Sequence, residues 1–446
     1  MTRKLSFSSI LSRISRYSYR TTMADATNEQ TPTLSSTPMK VVILNHYYAP
    51  DVASSGHLLF ELAEELARLG ADVQVVTSRP SYGPPESWQE CPRREMKNGV
   101  DTLRMNVTRF NKDSIIGRLV NIVSFLVPLT FFHVLPKRKG KVFLYTTNPP
   151  FLGFVGGFSS FLFRHNYAVL LHDAYPDIAV WLGKIKKNGF IDRFWHWCNK
   201  FMYNRAKQII VLSEAAKELV IKHYDTDPER IHIIPNWADP EDLKPMEKKD
   251  CTFAKEHDLV EPFTLLYSGN LGLYYKFDMI LDAAEQLKDE NFKLVFTGAG
   301  GQRDALEQQI KERNLTNTLL FGYTPQEKFN DALGSCDCLM VSIAEGIDGI
   351  SFPSKLYTCL SIGKPIVAFS APESELRTKV EGNNVGYWVA LDDPDGLVAC
   401  VREMMANPEK AKAMGERARI LLETEYSIEA SGGKYFEVLK LTDSGV

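Results

Sequence analysis

The sequence predicts an α/β protein built from two doubly wound parallel-sheet (Rossmann-like) domains that face each other across a cleft. Three observations carry that expectation. The 446 residues exceed what one compact core organises, so two domains of about 200 residues each are expected. Short, continuous apolar runs, suited to strands buried on both faces, alternate with segments of 3.6-residue periodicity. Polar or glycine-rich turns follow those runs at their carboxyl ends, where open α/β sheets bind ligands.

Residues 1–38 stand outside this pattern. The first 22 hold Arg3, Lys4, Arg13, Arg16 and Arg20, six serines and no acid, which resembles an organellar import signal. Met23 and Met39 offer later starts, so a dispensable, disordered tail is the competing reading.

The amino-terminal domain is expected over 39–245. Lys40–Asn45 reads as a buried strand, and His57–Leu69 as a helix with Leu58, Leu59, Leu62, Leu66 and Leu69 on its apolar side, closed by Gly70. Strands follow at Val73–Thr77, Lys141–Thr146, Ala168–His172, Gln208–Leu212 and His232–Pro235. Residues 115–135 are apolar for a full bilayer's length but carry Arg118, Asn121, Pro128 and His133, and 142–163 is interrupted by Pro149, Pro150 and three glycines. Two readings stand side by side: a pair of core elements, or a surface (112–163) that dips into lipid with Lys112, Arg118, Lys137, Arg138, Lys139 and Lys141 on the headgroups.

A polar connection from Asn236 to about Pro262 marks the boundary, and the carboxyl-terminal domain is expected over 246–426. Its alternation runs through strands at Thr264–Ser268, Lys293–Thr297, Leu319–Phe321, Cys338–Ser342 and Pro365–Ala368, and helices at Lys276–Leu287, Gln302–Arg313, Gln326–Gly334 and Pro353–Ile362. A last helix over 427–441 is expected to pack back on the first domain.

Composition narrows function. A net charge of −3 gives no global attraction to nucleic acid, and no nucleic-acid partner is expected. Seven scattered cysteines suit reduced thiols. Cys336 and Cys338 lack a second pair or a nearby histidine, so no metal site is expected there.

The candidate site residues sit on the turns. Ser55 and Gly56 close a small-residue loop after the first strand, where helix amides can approach an anion. In the second domain, Gly269 and Asn270 open a loop that precedes Lys276, an arrangement able to hold a diphosphate through amides and one point charge. Gly298 ends the next strand, and Gly322 with Tyr323 the one after, leaving permissive backbone where a base and ribose can lie. The run from Glu345 through Pro353 to Ser354 and Lys355 enters a helix whose first amides can stabilise a departing nucleoside diphosphate. His172 and Asp173, at a strand end of the first domain, face the cleft as catalytic candidates, although a satisfied histidine and a helix-capping aspartate explain them equally well.

From Met39 to about Leu441 the chain resembles family 4 glycosyltransferases, which have the GT-B fold, and in particular their L-fucosamine transferase-like branch. The resemblance rests on Asn45–Pro50 with Gly56, Asn148-Pro149-Pro150, the His172–Asp177 segment, Ile234-Pro235-Asn236, Tyr267–Gly272, and Pro353–Tyr357 through Gly363-Lys364-Pro365. It implies a retaining enzyme without a cofactor or metal, using a UDP- or GDP-sugar, with UDP ahead of GDP. It further implies a polyprenyl-linked or polysaccharide acceptor and a cytoplasmic location, peripheral at the inner face of the plasma membrane. The chain departs from the family pattern at Asn270, where an arginine is common, and at Ile350 and Thr358, which replace two glutamates. Glu345 or Asp348 is the available substitute. A catalytically silent partner subunit and a GT-B sugar-nucleotide epimerase remain the alternatives.

Overall fold

The computed structural model describes residues 38–51, 54–81, 88–110, 115–132, 140–272 and 275–444. Apart from Pro38, the amino-terminal tail lies outside the described residues, as do Lys112, Lys137, Arg138 and Lys139 of the basic set.

The first sheet contains β1 (Lys40–Leu44), β2 (Asp72–Ser78), β3 (Arg94–Lys97), β4 (Val100–Met105), β5 (Val142–Thr146), β6 (Tyr167–Leu171), β7 (Gln208–Val211) and β8 (Ile231–Ile233). Their spatial order is β3-β4-β2-β1-β5-β6-β7-β8. The second contains β9 (Phe263–Ser268), β10 (Phe292–Thr297), β11 (Thr318–Phe321), β12 (Cys338–Ser342), β13 (Ile366–Phe369) and β14 (Gly386–Val389), in the order β11-β10-β9-β12-β13-β14. Helices cover both faces, so the central strands are apolar on both sides: Val41–Leu44 and Val142–Tyr145 are fully buried. These are two parallel-sheet α/β bodies of the kind the alternation predicts.

The strand order reverses between β1 and β5 in one sheet and between β9 and β12 in the other. At such switch points the following loops diverge and leave a crevice beyond the strand ends. The loops after β1, β5, β9 and β12 are therefore where a ligand is to be sought.

The antiparallel edge pair β3–β4 is an element that the alternation does not predict. Lys97 pairs with Val100 around Asn98-Gly99, both with positive φ (47° and 80°), as a two-residue hairpin requires. The helix Ile428–Ser444 packs against the helix Ser54–Arg68 and behind β5–β7. Gly432 lets it approach closely, since a Cβ there would meet Glu65 Cγ at 2.3 Å. Trp237 fastens the same corner, donating to Glu61 at 2.8 Å and meeting the Tyr435 ring edge-on.

The apolar stretch at 115–135 forms the helix Ile115–Phe132. It buries Phe125, Leu129 and Phe132 and exposes Ile116, Leu119, Val123, Val127 and Phe131. The stretch at 142–163 divides into β5 and the helix Leu152–Phe163, whose buried side rests on Met202 and Tyr145. Each helix thus has one face in the core and one outside it. Among the described residues no helix is long and apolar enough to cross a membrane.

Candidate active site

Three turns on the carboxyl edge of the second sheet are joined into one platform. The Gly269 amide donates to the Thr297 carbonyl at 2.8 Å, Leu271 to Ala299 at 2.9 Å, and Gly298 to Gly322 at 3.0 Å. Gly298 makes this closeness possible: a Cβ there would lie 1.9 Å from the Gly269 carbonyl oxygen, and its φ is 143°. The loops after β9, β10 and β11, which carry Gly269, Asn270, Gly298, Gly322 and Tyr323, therefore lie side by side. Tyr323 stands 76% exposed at the edge of the platform.

Lys355 rises under this platform from the start of the helix Lys355–Ile362. A Cβ on Gly269 would meet Lys355 Cε at 2.5 Å, so the glycine makes room for the lysine stem. The ammonium donates to the Tyr267 hydroxyl at 2.5 Å and lies 4.2 Å from the centre of the Tyr267 ring and 5.2 Å from that of Tyr275. The Tyr267 hydroxyl in turn donates a hydrogen bond to the Asn270 carbonyl at 2.9 Å. No described carboxylate forms an ion pair with Lys355. Burial lowers its pKa to about 8. A mostly buried cation held by two aromatic faces and a hydroxyl, with no acid beside it, is poised for an anion arriving from outside.

Ser354 is exposed, and its hydroxyl caps no amide. The amides of Leu356 and Tyr357 already donate to Pro353 and Ser354, which leaves those of Ser354 and Lys355 at the helix entrance. Lys276 is exposed and directly follows Tyr275, so the two lysines belong to one neighbourhood. Glu345 is exposed too. Its carbonyl, not its carboxylate, is engaged, accepting from Trp181 Nε1 at 3.0 Å. Asp348 accepts from the Ser374 hydroxyl at 2.7 Å and braces the next helix.

The first domain meets this loop from across the cleft. The Ala174 amide donates to the Ile350 carbonyl at 2.8 Å, and the Ser351 hydroxyl binds the Asp173 carboxylate. Burial pushes the Asp173 carboxyl up and Ser351 pulls it part of the way back. The amides of His172 and Asp173 both reach Thr147 Oγ1, at 3.2 and 3.4 Å. His172 is half-buried, its Nε2 is enclosed without a hydrogen-bond partner, and burial lowers its pKa to about 4. It is a neutral imidazole near pH 7. Gly56 packs the first helix onto the loop after β1, 3.2 Å from the backbone of Tyr47 and Tyr48 for a would-be Cβ, with Ser55 half-buried beside it.

The structure thus gathers Gly269, Asn270, Gly298, Gly322, Tyr323 and Lys355 on one platform, and brings His172 and Asp173 to the loop that leads into Lys355. Ser55 and Gly56 remain on their own side of the cleft and lie in the first turn of the helix Ser54–Arg68 rather than in the loop after β1. Tyr267, Thr147 and Ser351 were not singled out by the sequence. Tyr267 alone left a trace there, as an aromatic two residues before the glycine loop.

The loops of the two domains thus meet around a mostly buried cation at the carboxyl ends of the strands. Residues 56–237 match the model for a glycosyl transferase 4-like domain, and residues 250–421 that for glycosyl transferases group 1. WbjE of Pseudomonas aeruginosa, named a probable glycosyltransferase, is 23% identical over 87% of this chain and 94% of its own. WcaI of Escherichia coli, a glycosyl transferase named for colanic acid biosynthesis, is 24% identical over 87% and 97%. The fold matches that of HepE from Anabaena, solved in complex with UDP, with a TM-score of 0.68 at 16% identity over 90% of this chain and 100% of that one. The same protein has been solved with UDP-glucose. The protein is a glycosyltransferase. It belongs to family 4 of the GT-B glycosyltransferases.

Proposed function

We propose that this enzyme transfers a sugar from a UDP-sugar, ahead of a GDP-sugar, to a lipid-linked or polysaccharide acceptor with retention of configuration. One observation carries the reading: the buried Lys355 ammonium has no carboxylate partner among the described residues and stands beneath the glycine loop after β9. A pyrophosphate on that loop would supply the missing charge. Lys276 would share it, and the Ser354 and Lys355 amides would hold its terminal oxygens. Tyr323 offers a face for the base, and Glu345 a carboxylate for sugar or ribose hydroxyls in place of the glutamates absent at 350 and 358. The acceptor hydroxyl forms its bond to C1 on the face from which the phosphate oxygen leaves. Its proton passes to that phosphate. The enzyme's main contribution is then stabilisation of the leaving charge, which the lysines supply without a metal. The relatives' complexes with UDP and UDP-glucose support the choice of base. His172, neutral and enclosed, and Asp173 would meet the sugar and acceptor.

The exposed apolar faces of Ile115–Phe132 and Leu152–Phe163 support an acceptor drawn from a membrane, with the enzyme peripheral at its cytoplasmic face. They continue onto the helix Phe190–Arg205, where Phe190 is 86% and Trp197 59% exposed and Phe154 lies 6.0 Å from Trp197. Phe161, Leu162 and Phe163 extend the patch, and Arg205 sits 4.8 Å over the Phe161 ring as a cation for headgroups.

A transfer assay over a panel of UDP- and GDP-sugars, with the product's anomeric configuration read by NMR, tests the reaction. Retention with a UDP-sugar is expected. Turnover lost in Lys355→Ala and Lys276→Ala ties it to this platform. Inversion would overturn the retaining step, a donor isomerised without transfer would favour the epimerase, and a donor left unconsumed the silent partner.

A further inference from the structure

A second constellation of chemistry-bearing side chains lies behind the His172–Pro176 loop. Asp177 opens the helix Asp177–Trp181, Asp192 and His196 stand one turn apart on Phe190–Arg205, and His223 lies at the end of the helix Glu214–Tyr224. One ligand atom from each of Asp177, His196 and His223 falls within 4.8 Å of the others. We propose that these three residues form a site for a single divalent transition-metal ion of zinc's class, with water as the fourth ligand.

Spacing and donor chemistry agree. His223 Nδ1 lies 3.3 Å from Asp177 Oδ1. Ligands bound at about 2.0–2.1 Å around a tetrahedral ion lie about 3.3–3.4 Å from one another. Two imidazoles and a carboxylate favour zinc, copper or nickel over magnesium or calcium. A second, independent observation concerns carboxylate oxygens. Asp177 Oδ2 is buried without a hydrogen-bond partner, and Asp192 Oδ1, on a side chain only 5% exposed, has no hydrogen-bond partner closer than the His196 ring at 3.4 Å. Leaving such acceptors unsatisfied is costly unless a cation is near.

Asp192 also stands where an orienting carboxylate belongs. Its Oδ1 faces His196 Nε2 at 3.4 Å, while its Oδ2 is fixed by the Asn188 amide at 2.7 Å. Metal-binding imidazoles commonly hand their second nitrogen to such a group. That leaves His196 Nδ1, now 3.0 Å from the Tyr224 hydroxyl, for the ion. Asn199 donates both to that hydroxyl and to the Tyr175 carbonyl, and so links the cluster to the loop ahead of it. About a third of each imidazole is exposed, which gives the ion and its water a way in. The ion would fasten two helices to Asp177, four positions beyond Asp173. Its role is to stiffen the first domain's side of the cleft, separately from the sugar chemistry.

The test is zinc calorimetry on the full chain, free of tags and stripped with EDTA. One equivalent of Zn2+ is expected to bind and to raise the melting temperature. Asp192→Asn should weaken binding ten- to a hundredfold. His223→Ala, at a partly exposed position where misfolding is not expected, should weaken it further. Co2+ in the unmodified chain should give the weak visible bands of a nitrogen–oxygen site. No zinc binding would mean histidine–aspartate ion pairs only. Undiminished binding by His223→Ala, or an intense thiolate-to-cobalt band, would place the ion on cysteines. Each of these results overturns the proposal.

Discussion

Lys355 concentrates the chemistry of the molecule at the residue scale. Its pKa falls from the ordinary lysine range to about 8 because burial disfavours the ammonium. A lysine whose folded pKa is depressed costs stability below that pKa, and the cost fades as pH rises toward its unfolded value. The displacement corresponds to about 3 kcal/mol at most. Lys355→Met should therefore melt no lower than the parent at pH 7 by calorimetric scan, although it discards a functional group. His172 gives a second prediction of the same sign in a lower pH window. Its folded pKa of about 4 lies below the unfolded value, so its contribution is complete above pH 6.5 and is lost as pH falls toward 4. His172→Gln should flatten that part of the acid denaturation curve. His46, buried against Phe125 with a pKa also near 4, should preserve the remainder.

At the scale of elements, the glycine platform is the part most sensitive to a single methyl group. Gly298→Ala places a carbon against a backbone carbonyl that cannot move without parting β9 from β10. We expect a loss on the order of 2–4 kcal/mol in denaturant titration, with donor binding weakened as well. This platform was legible in the sequence, because glycines directly after apolar runs can have few other reasons to be there. The helix after Pro353 was legible for the same kind of reason, a proline at a helix entrance. The β3–β4 hairpin was not extracted, although Asn98-Gly99 signals it; short strands of mixed polarity such as Arg94–Lys97 carry no apolar run. Tyr267 and Thr147 escaped because their roles depend on neighbours 88 and 25 residues away, a distance no local pattern encodes. The Asp177, His196 and His223 cluster escaped for that reason too, since three separate helices must fold before it exists.

At the scale of the whole molecule, each of the two sheets reverses its strand order once, and loops and helix ends beyond the strands make contact across the cleft. Trp181 to Glu345, Ala174 to Ile350 and the Glu214 amide to the Glu375 carboxylate at 2.9 Å hold the two bodies together. The same first domain carries the exposed aromatic patch on its outer helices. Flotation with anionic liposomes should carry the parent protein upward, and Phe161→Ser combined with Trp197→Ser should leave it at the bottom while UDP binding is retained. Flotation unaffected by those changes would remove the lipid-facing role of the patch.

The central claim is that an uncompensated, buried ammonium awaits a diphosphate. Calorimetric titration of UDP into the parent and Lys355→Met, at pH 7 and at pH 9, tests it most directly. The account predicts at least tenfold weaker binding by the variant at pH 7, about 1.4 kcal/mol, and parental affinity that declines toward pH 9 as the free lysine loses its proton. Equal affinity in the two proteins at pH 7, with no pH dependence in the parent, would contradict it.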